Sequence, residues 1–122
     1  MRKSEFESVI EDALEQLPHQ FKRALNNVSI AVRWRPTGDE LDRAEVGDHG
    51  DLFGLYVGVP LTHRGEGYNL VAPDTIYIYQ RAHERHCRTK EQLVAQARKT
   101  LLHEIGHYLG IEEDRLHELG MG

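Results

Sequence analysis

The sequence is poor in cysteine: Cys87 is the only one among 122 residues, so no disulfide can form within the chain. It also has no apolar run long enough to cross a bilayer, and no segment has the apolar core of a signal peptide. These absences exclude a disulfide scaffold and an integral membrane protein. We therefore expect a soluble, cytoplasmic protein with no membrane partner.

Positive charge is scarce as well. Lys and Arg number 15 against 20 Asp and Glu, which gives a formal net charge of −5. Lys and Arg do not cluster along the chain, whereas nucleic acids are bound mainly through basic patches. We therefore expect no nucleic-acid partner.

The chain has no internal repeat and no low-complexity tract. A length of 122 residues is typical of about one domain, and a hydrophobic content of 39% is enough for one core. We therefore expect residues 1–122 to form a single domain. Length and composition do not determine an oligomeric state.

The most informative feature is the pentapeptide 103–107, His-Glu-Ile-Gly-His. On an α-helix, residues four apart lie one above the other, so His103 and His107 can point their imidazoles at one metal ion. Glu104 is rotated by about 100° from His103, which places its carboxylate beside the metal, where it can take a proton from water. This HExxH pattern predicts a Zn²⁺ site with Glu104 as general base.

A third ligand is expected just after the helix. Gly110 follows His107 by three residues, and glycine readily adopts the left-handed turn that ends a helix and reverses the chain. Glu113 stands ten residues after His103, at the position of the third ligand in the long HExxHxxGxxH pattern, and Asp114 is the alternative. Two imidazoles and a carboxylate leave a fourth position for water, which is typical of a catalytic zinc site; iron and manganese share such ligands.

The helix that carries the motif is well marked. Thr89 and Gln92 form a capping box, which predicts a helix of about twenty residues from Lys90 to the turn at Gly110. Its apolar residues recur at helical spacing, which predicts that one face packs in the core. These residues are Leu93, Val94, Ala97, Leu101, Leu102 and Ile105.

The remaining elements follow from similar patterns. Ser4 and Glu7 suggest a capping box for a first helix that ends before Pro18. We predict a short helix over 19–26, strands over 28–34, 52–59 and 75–80, and a mobile loop over 35–51. If the third strand borders the cleft, its free backbone groups can pair with an extended peptide.

Other metal-type and nucleophilic side chains are expected to have no role in the site. His83 and His86 are expected at the surface, and His49 is expected to be solvated in its loop. Cys87 lies close to two histidines in sequence, but a lone cysteine is usually a small, inert residue.

Three segments carry a family resemblance: 54–62 (GLYVGVPLT), 75–79 (TIYIY) and 103–120, which begins with the HExxH motif. Together they resemble the bacterial minimal zincin-like family, and the match covers most of the chain from about residue 5 onward. The resemblance implies an α+β zincin-like domain, with a small mixed, mainly antiparallel sheet, a backing helix and an active-site helix. It also implies a zinc metallopeptidase.

The pattern is also similar to that of metzincin peptidases. His103, Glu104, His107 and Gly110 match the long metzincin motif residue by residue, but Glu113 replaces its third histidine. Met121 lies too close to the motif to match the usual methionine turn, so we interpret it as a core or tail residue.

These observations predict a zinc-dependent peptidase acting on peptides or unfolded proteins. A second electrophile is usually needed, and the candidates that bind substrate are Tyr56, His63, Arg64 and Tyr68. Two alternatives remain. One is a catalytically inactive zinc-binding interaction module. The other is a metal-dependent hydrolase of a non-peptide bond, for which the acidic balance argues against RNA as substrate.

Overall fold

The computed structural model describes residues 1–44, 51–59 and 74–119, apart from the side chain of Glu113. Within these ranges the elements are α1 (Lys3–Glu15), α2 (His19–Ala24), a 3-10 turn (Leu25–Asn27), β1 (Val28–Arg33), α3 (Gly38–Arg43), β2 (Gly54–Val57), β3 (Asp74–Tyr79), α4 (Gln80–His86), α5 (Lys90–Tyr108) and α6 (Glu113–Glu118). None of the described helices is long and apolar enough to cross a bilayer.

The three strands form one mixed sheet in the order β1-β3-β2. β1 and β3 are parallel, with Val28 opposite Asp74, whereas β2 and β3 are antiparallel, with Gly54 opposite Ile78. The predicted α+β class and mixed sheet are confirmed. The hypothesis that the third strand offers free backbone groups is wrong, because β3 is central and pairs on both sides; β2 lies at an edge of the described sheet.

One apolar core joins the sheet to α1 and α5. The apolar face predicted for α5 is confirmed, since all six of its residues are buried. The predicted capping box is also confirmed: the Thr89 hydroxyl accepts a hydrogen bond from the backbone N–H of Gln92, whose side chain bonds back to Thr89. The fully enclosed side chains of the core include Phe6, Ala13, Ile76, Ile78, Ala97, Leu101, Ile105 and Leu116.

The start of α1 differs from the prediction. The helix begins at Lys3, and its N-cap residue Arg2 makes no side-chain capping bond. Ser4 is therefore already inside the helix, where its carbonyl accepts from the Ser8 hydroxyl at 3.3 Å. Burial of the apolar face of α1, which includes Phe6 and Val9, accounts for this helix without the predicted capping box.

The prediction of a loop over 35–51 is wrong for its first half. Thr37 and Glu40 form a capping box that starts α3, and Glu40 is buried despite its charge. Its carboxylate accepts a hydrogen bond from the Tyr79 hydroxyl at 2.7 Å and pairs with Arg33, so its charge is compensated. α3 is thereby fixed to the sheet. Residues 45–50, including His49, lie outside the described residues.

A candidate metal centre

Three side chains of α5 meet where the helix passes the edge of the sheet. One ligand atom from each of His103, Glu104 and His107 lies within 4.8 Å of the other two. The imidazole rings of His103 and His107 are 4.6 Å apart, as expected for residues one helical turn apart. The sequence spacing therefore brings these three groups to one place.

The chemistry of this donor set fits zinc. Two neutral imidazoles and a nearby carboxylate are typical of catalytic zinc sites. Two ligands of one tetrahedral zinc lie roughly 3.4 Å apart when the bonds are roughly 2.0–2.1 Å long. The upper limit of 4.8 Å between the ligand atoms of the cluster accommodates that separation, and both histidines are half-buried, which leaves a path for an ion from solvent.

The carboxylate of Glu104 is held by the backbone of the edge strand. Its Oε1 accepts a hydrogen bond from the Tyr56 N–H at 2.9 Å, and His107 Nδ1 lies 3.2 Å from the same oxygen. In an antiparallel pair, residues along one strand alternately bond to the partner strand and point away from it. The Phe53 carbonyl accepts from the Tyr79 N–H, so Phe53 bonds to β3 and Tyr56, three residues later, points its backbone groups away from β3. The outward N–H therefore reaches Glu104 on α5.

Close contact between β2 and α5 depends on Gly54. A Cβ at Gly54 would lie 2.6 Å from Thr100 Cγ2, 3.0 Å from the Tyr77 carbonyl oxygen and 3.3 Å from Glu104 Cγ. Only a residue without a side chain fits this space. Gly54 thus allows β2 to lie close enough to α5 for Tyr56 to bind Glu104.

The predicted glycine turn closes α5. Gly110 has a φ of 80°, its N–H donates to the His107 carbonyl, and the Ile111 N–H donates to the Gly106 carbonyl, both at 2.9 Å. This pair of bonds is a Schellman motif, in which glycine is favoured at the left-handed position. The chain then turns back toward α5 as α6.

α6 is fixed to α5 by one close contact. Leu116 is fully buried, and a Cβ on Gly106 would lie only 2.2 Å from Leu116 Cδ2. Gly106 belongs to the same helical turn as the HExxH motif, so α6 packs against the part of α5 that carries the metal centre. This contact places the start of α6, which carries the predicted third ligand, at the same end of α5.

The third-ligand candidates lie in this segment. Glu113 is the first residue of α6, but its side chain lies outside the described part of the structure. Asp114 is exposed and is not part of the metal-type cluster found among the described residues. The prediction of Glu113, with Asp114 as alternative, therefore stays a prediction.

The substrate-binding candidates are only partly described. The Tyr56 hydroxyl donates to Asp74 Oδ1 at 3.0 Å, and its ring packs edge-on against Tyr108 with centroids 5.7 Å apart. His63, Arg64 and Tyr68 lie outside the described residues, as does Met121. Tyr56 contacts Glu104 of the metal centre through its backbone N–H. A role of its side chain in substrate binding stays a prediction.

The prediction that His83 is exposed is wrong. Its ring is fully buried between Phe6 and Phe53, with Nδ1 2.8 Å from the Tyr79 carbonyl oxygen and Nε2 3.1 Å from Thr100 Oγ1. Burial lowers the pKa of His83, against the opposing effect of the Tyr79 carbonyl. The sequence gave no clear signal of this burial, because charged residues stand close to His83 on both sides, at Arg81, Glu84 and Arg85.

His86 lies at the surface as expected, and the environment of Cys87 supports the expectation that it is inert. The side chain of His86 is 52% exposed and lies 2.7 Å from an oxygen of Asp51. Burial raises the pKa of the Cys87 thiol, so the thiolate that a nucleophile requires is disfavoured.

Sequence analysis missed the residues that set distances around the centre. Gly54, Gly106 and Leu116 carry no metal-type chemistry, and none was singled out for a role in the site. One signal was available: a glycine inside a helix costs about 1 kcal/mol relative to alanine, so Gly106 indicates close packing.

A cavity of about 270 Å³ adjoins the centre. His103, Glu104, Thr100 and Lys99 line it from α5, and Phe53 and Gly54 line it from the strand side, together with Asp51, Leu52 and Gln96. Leu52, Phe53 and Gly54 give this cavity an apolar side, and the polar groups of α5 stand on the other, a combination that is typical of ligand sites.

A match to a known protein family supports the assignment of this cluster as a metal centre. No curated protein matches the chain significantly. A family model described as zincin-like metallopeptidase matches residues 25–122, a range that includes all three strands, α5 and α6. This family implies a zinc cofactor, and the His-Glu-His cluster fits one. The resemblance seen in the sequence is thereby confirmed, and the chain belongs to the zincin-like metallopeptidase family.

Proposed function

We propose that the protein is a zinc-dependent peptidase that hydrolyses peptide bonds in peptides or unfolded proteins. The observation that carries this proposal is the cluster of His103, Glu104 and His107, with the Glu104 carboxylate fixed by the Tyr56 N–H. A purely structural zinc site has no need of a buried, oriented carboxylate that is not required as a ligand. The family membership supports the same chemistry.

In this proposal, His103 and His107 hold the ion, with Glu113 as third ligand. When bound, zinc lowers the pKa of a coordinated water and polarises the scissile carbonyl. The short α6 brings its first residue to the end of α5, which supports Glu113 over more distant acids.

Glu104 acts as the general base. Its Oε1 is fixed by the Tyr56 N–H, while Oε2 makes no hydrogen bond with the described residues and is therefore the oxygen we assign to proton transfer. Only 5% of Glu104 is exposed, so bulk water does not compete strongly for this carboxylate. The same group then delivers the proton to the leaving amine.

The adjoining cavity supports a peptide substrate. A space of about 270 Å³ accommodates roughly one side chain rather than a large cofactor, and it opens beside His103 and Glu104. The side chains proposed to stabilise the developing oxyanion remain Tyr56, His63, Arg64 and Tyr68.

The proposal is tested by metal content and cleavage together. Protein purified without a metal-affinity tag is expected to contain near-stoichiometric zinc by elemental analysis and to cleave quenched fluorescent peptides. The His103→Ala and Glu113→Ala variants should lose zinc. Glu104→Gln should keep zinc and lose turnover by about 10²- to 10⁴-fold, because only the base is removed.

Two outcomes would contradict this function. A Glu104→Gln variant that cleaves at the wild-type rate would exclude Glu104 as base. Zinc bound at full occupancy without cleavage of any peptide in a diverse library would instead indicate an interaction module that uses the same centre.

A further inference from the structure

A second, larger cavity of about 670 Å³ adjoins the one beside the metal centre. The two share Asp51 and Leu52 in their walls and are therefore neighbours on the protein. The second cavity lies between the segment that follows β1 and one face of α4. We call it the distal pocket and define it by Trp34, Arg35, Arg81 and Arg85, with Asp51 and Leu52 at the junction.

The distal pocket is cationic on a protein of net negative charge. Three arginines line it, and Asp51 is the single acid among its described lining residues. Asp51 is itself paired, with Arg85 at 3.3 Å and His86 at 2.7 Å. Arg35 and Arg81 therefore remain to attract a negatively charged ligand, although the whole chain has a formal charge of −5.

Trp34 adds an apolar surface to these charges. It is the only tryptophan in the chain, and 56% of it is exposed, which is unusual for so large an apolar side chain. Exposed tryptophan and arginine side by side are typical of binding surfaces, where the ring supplies contact area and the guanidinium groups supply charge recognition.

The walls of the distal pocket are fixed before any ligand binds. The Trp34 carbonyl accepts a hydrogen bond from the Arg81 N–H at 2.9 Å, which joins the two walls. α3 is fixed through Glu40, and α4 through the buried ring of His83. A preformed pocket costs little free energy to order on binding.

We propose that the distal pocket binds an acidic segment of the peptide substrate, next to the residues held at the metal centre. This inference rests on the proposed peptidase function. Carboxylates of Asp or Glu in the substrate pair with Arg35 and Arg81, and neighbouring apolar atoms pack on Trp34. The enzyme therefore selects peptides with acidic residues on one side of the scissile bond.

Continuity with the metal centre favours a peptide over a small free anion. The shared residues Asp51 and Leu52 place the two cavities next to each other, within the reach of one extended chain. A small anion would use only the arginines and leave the Trp34 face and the junction unoccupied.

The lone tryptophan makes binding directly measurable. The Glu104→Gln variant, loaded with zinc, is titrated with peptides that carry two Glu residues at set distances on either side of an apolar pair, and with matched peptides that carry Gln. Because fluorescence at 295 nm excitation comes from Trp34 alone, a change reports occupancy of the distal pocket. We expect the Glu peptides to bind about fivefold or more tightly than the Gln peptides, and the difference to shrink in high salt.

Substitutions then distinguish an effect of the arginines in the distal pocket from an effect of the net charge of the protein. The double variant Arg35→Gln/Arg81→Gln should lose the preference for Glu peptides, while its zinc content stays at the wild-type level. Arg23→Gln is the matched control for loss of a positive charge, because Arg23 is exposed on α2, away from the residues that line either cavity. It should keep the preference. In the wild-type enzyme, kcat/KM should follow the same order.

The outcomes distinguish this inference from the proposed function. Cleavage with no difference between Glu and Gln peptides would overturn the distal-pocket proposal and leave the peptidase intact. Charge-dependent binding at Trp34 without cleavage by the wild type would support the pocket and count against peptidase activity. A Trp34 response to inorganic phosphate equal to that for the Glu peptides would show a general anion site and overturn the proposal.

Discussion

At the scale of single residues, the centre depends on groups that contribute position rather than reactivity. The backbone N–H of Tyr56 fixes one oxygen of Glu104, and Gly54 lets the strand come close enough for this bond. A hydrogen bond to a charged group in a buried site contributes about 1.5–3 kcal/mol. The orientation of the base is therefore set by the edge strand as much as by α5.

Replacing Tyr56 by proline tests this bond. Proline removes the N–H that Glu104 accepts, and it is tolerated on an edge strand where that N–H faces away from the ladder. We expect turnover to fall by about 10- to 100-fold with zinc retained. Tyr56→Phe is the comparison, since it keeps the N–H and removes the hydroxyl, so any effect of the hydroxyl's bond to Asp74 or of its proposed oxyanion role is measured separately. Equal activity of the proline and phenylalanine variants would exclude a role for the N–H.

His83 predicts a dependence of stability on pH. Burial lowers its pKa in the folded state, so below pH of about 6.5 the unfolded chain binds a proton that the folded chain does not. Stability should therefore fall as the pH falls from about 6.5 toward the lowered pKa, with a slope of up to about 1.4 kcal/mol per pH unit from this residue.

The measurement is urea unfolding of the wild type and His83→Gln between pH 7.5 and 5. The variant should be less stable at neutral pH, because two hydrogen bonds change, but its stability should depend less on pH. The exposed His19→Gln variant serves as the control and should follow the wild type. Parallel curves for the wild type and His83→Gln would contradict the assignment.

At the scale of elements, prediction succeeded where local signals were strong. α5 was predicted because its capping box, apolar period and terminal glycine agree along one long segment. α3 was missed although Thr37 and Glu40 mark its start, because a short and highly charged helix has no apolar face to reveal it. The order of the strands was not predictable, since it depends on pairing between distant segments rather than on any local pattern.

The packing of α6 on α5 is tested by Gly106→Ala. In an exposed helix this change stabilises by about 1 kcal/mol, but here the methyl group would overlap with the buried Leu116. Overpacking costs about 1–3 kcal/mol, so we expect net destabilisation and faster loss of zinc as α6 shifts. Thermal unfolding and zinc release to a chromogenic chelator measure the two effects.

A double variant gives the control. Gly106→Ala with Leu116→Val removes a methylene at the point of overlap and should recover part of the lost stability. A Gly106→Ala variant that is more stable than the wild type would show that the contact with Leu116 is not restrictive.

At the scale of the whole molecule, α5 contributes to the apolar core with some of its residues and to the metal centre with others. Its 19 residues span roughly 28 Å. One face contributes Ala97, Leu101 and Ile105 to the core, while His103 lines the cavity and the half-buried His107 lies one turn further along the helix. The apolar core extends over α1, the sheet and most of the length of α5, whereas the two histidines of the metal centre are only half-buried. The fold is therefore expected to form without the ion.

Removal of zinc tests this independence. We expect chelator-treated protein to keep a cooperative thermal transition, because the apolar core is unchanged. Zinc at 100 to 1,000 times its dissociation constant should add about 3–4 kcal/mol, which corresponds to roughly 12–16 °C in Tm for a domain of this size. Circular dichroism with and without chelator gives the comparison, and the absence of any cooperative transition in the metal-free protein would contradict it.

The contact between Tyr56 and Glu104 also bears on aggregation. An exposed edge strand offers a template on which another chain can add as a further strand. β2 is only four residues long, and its outward N–H at Tyr56 is already bound to a side chain of α5. The bond that orients the base thus also blocks this edge against pairing with a second molecule. Glu104→Ala, which removes the acceptor of the Tyr56 N–H, is therefore expected to precipitate more readily on storage than its loss of folding stability alone would predict, whereas Tyr56→Pro, which removes the N–H, is not.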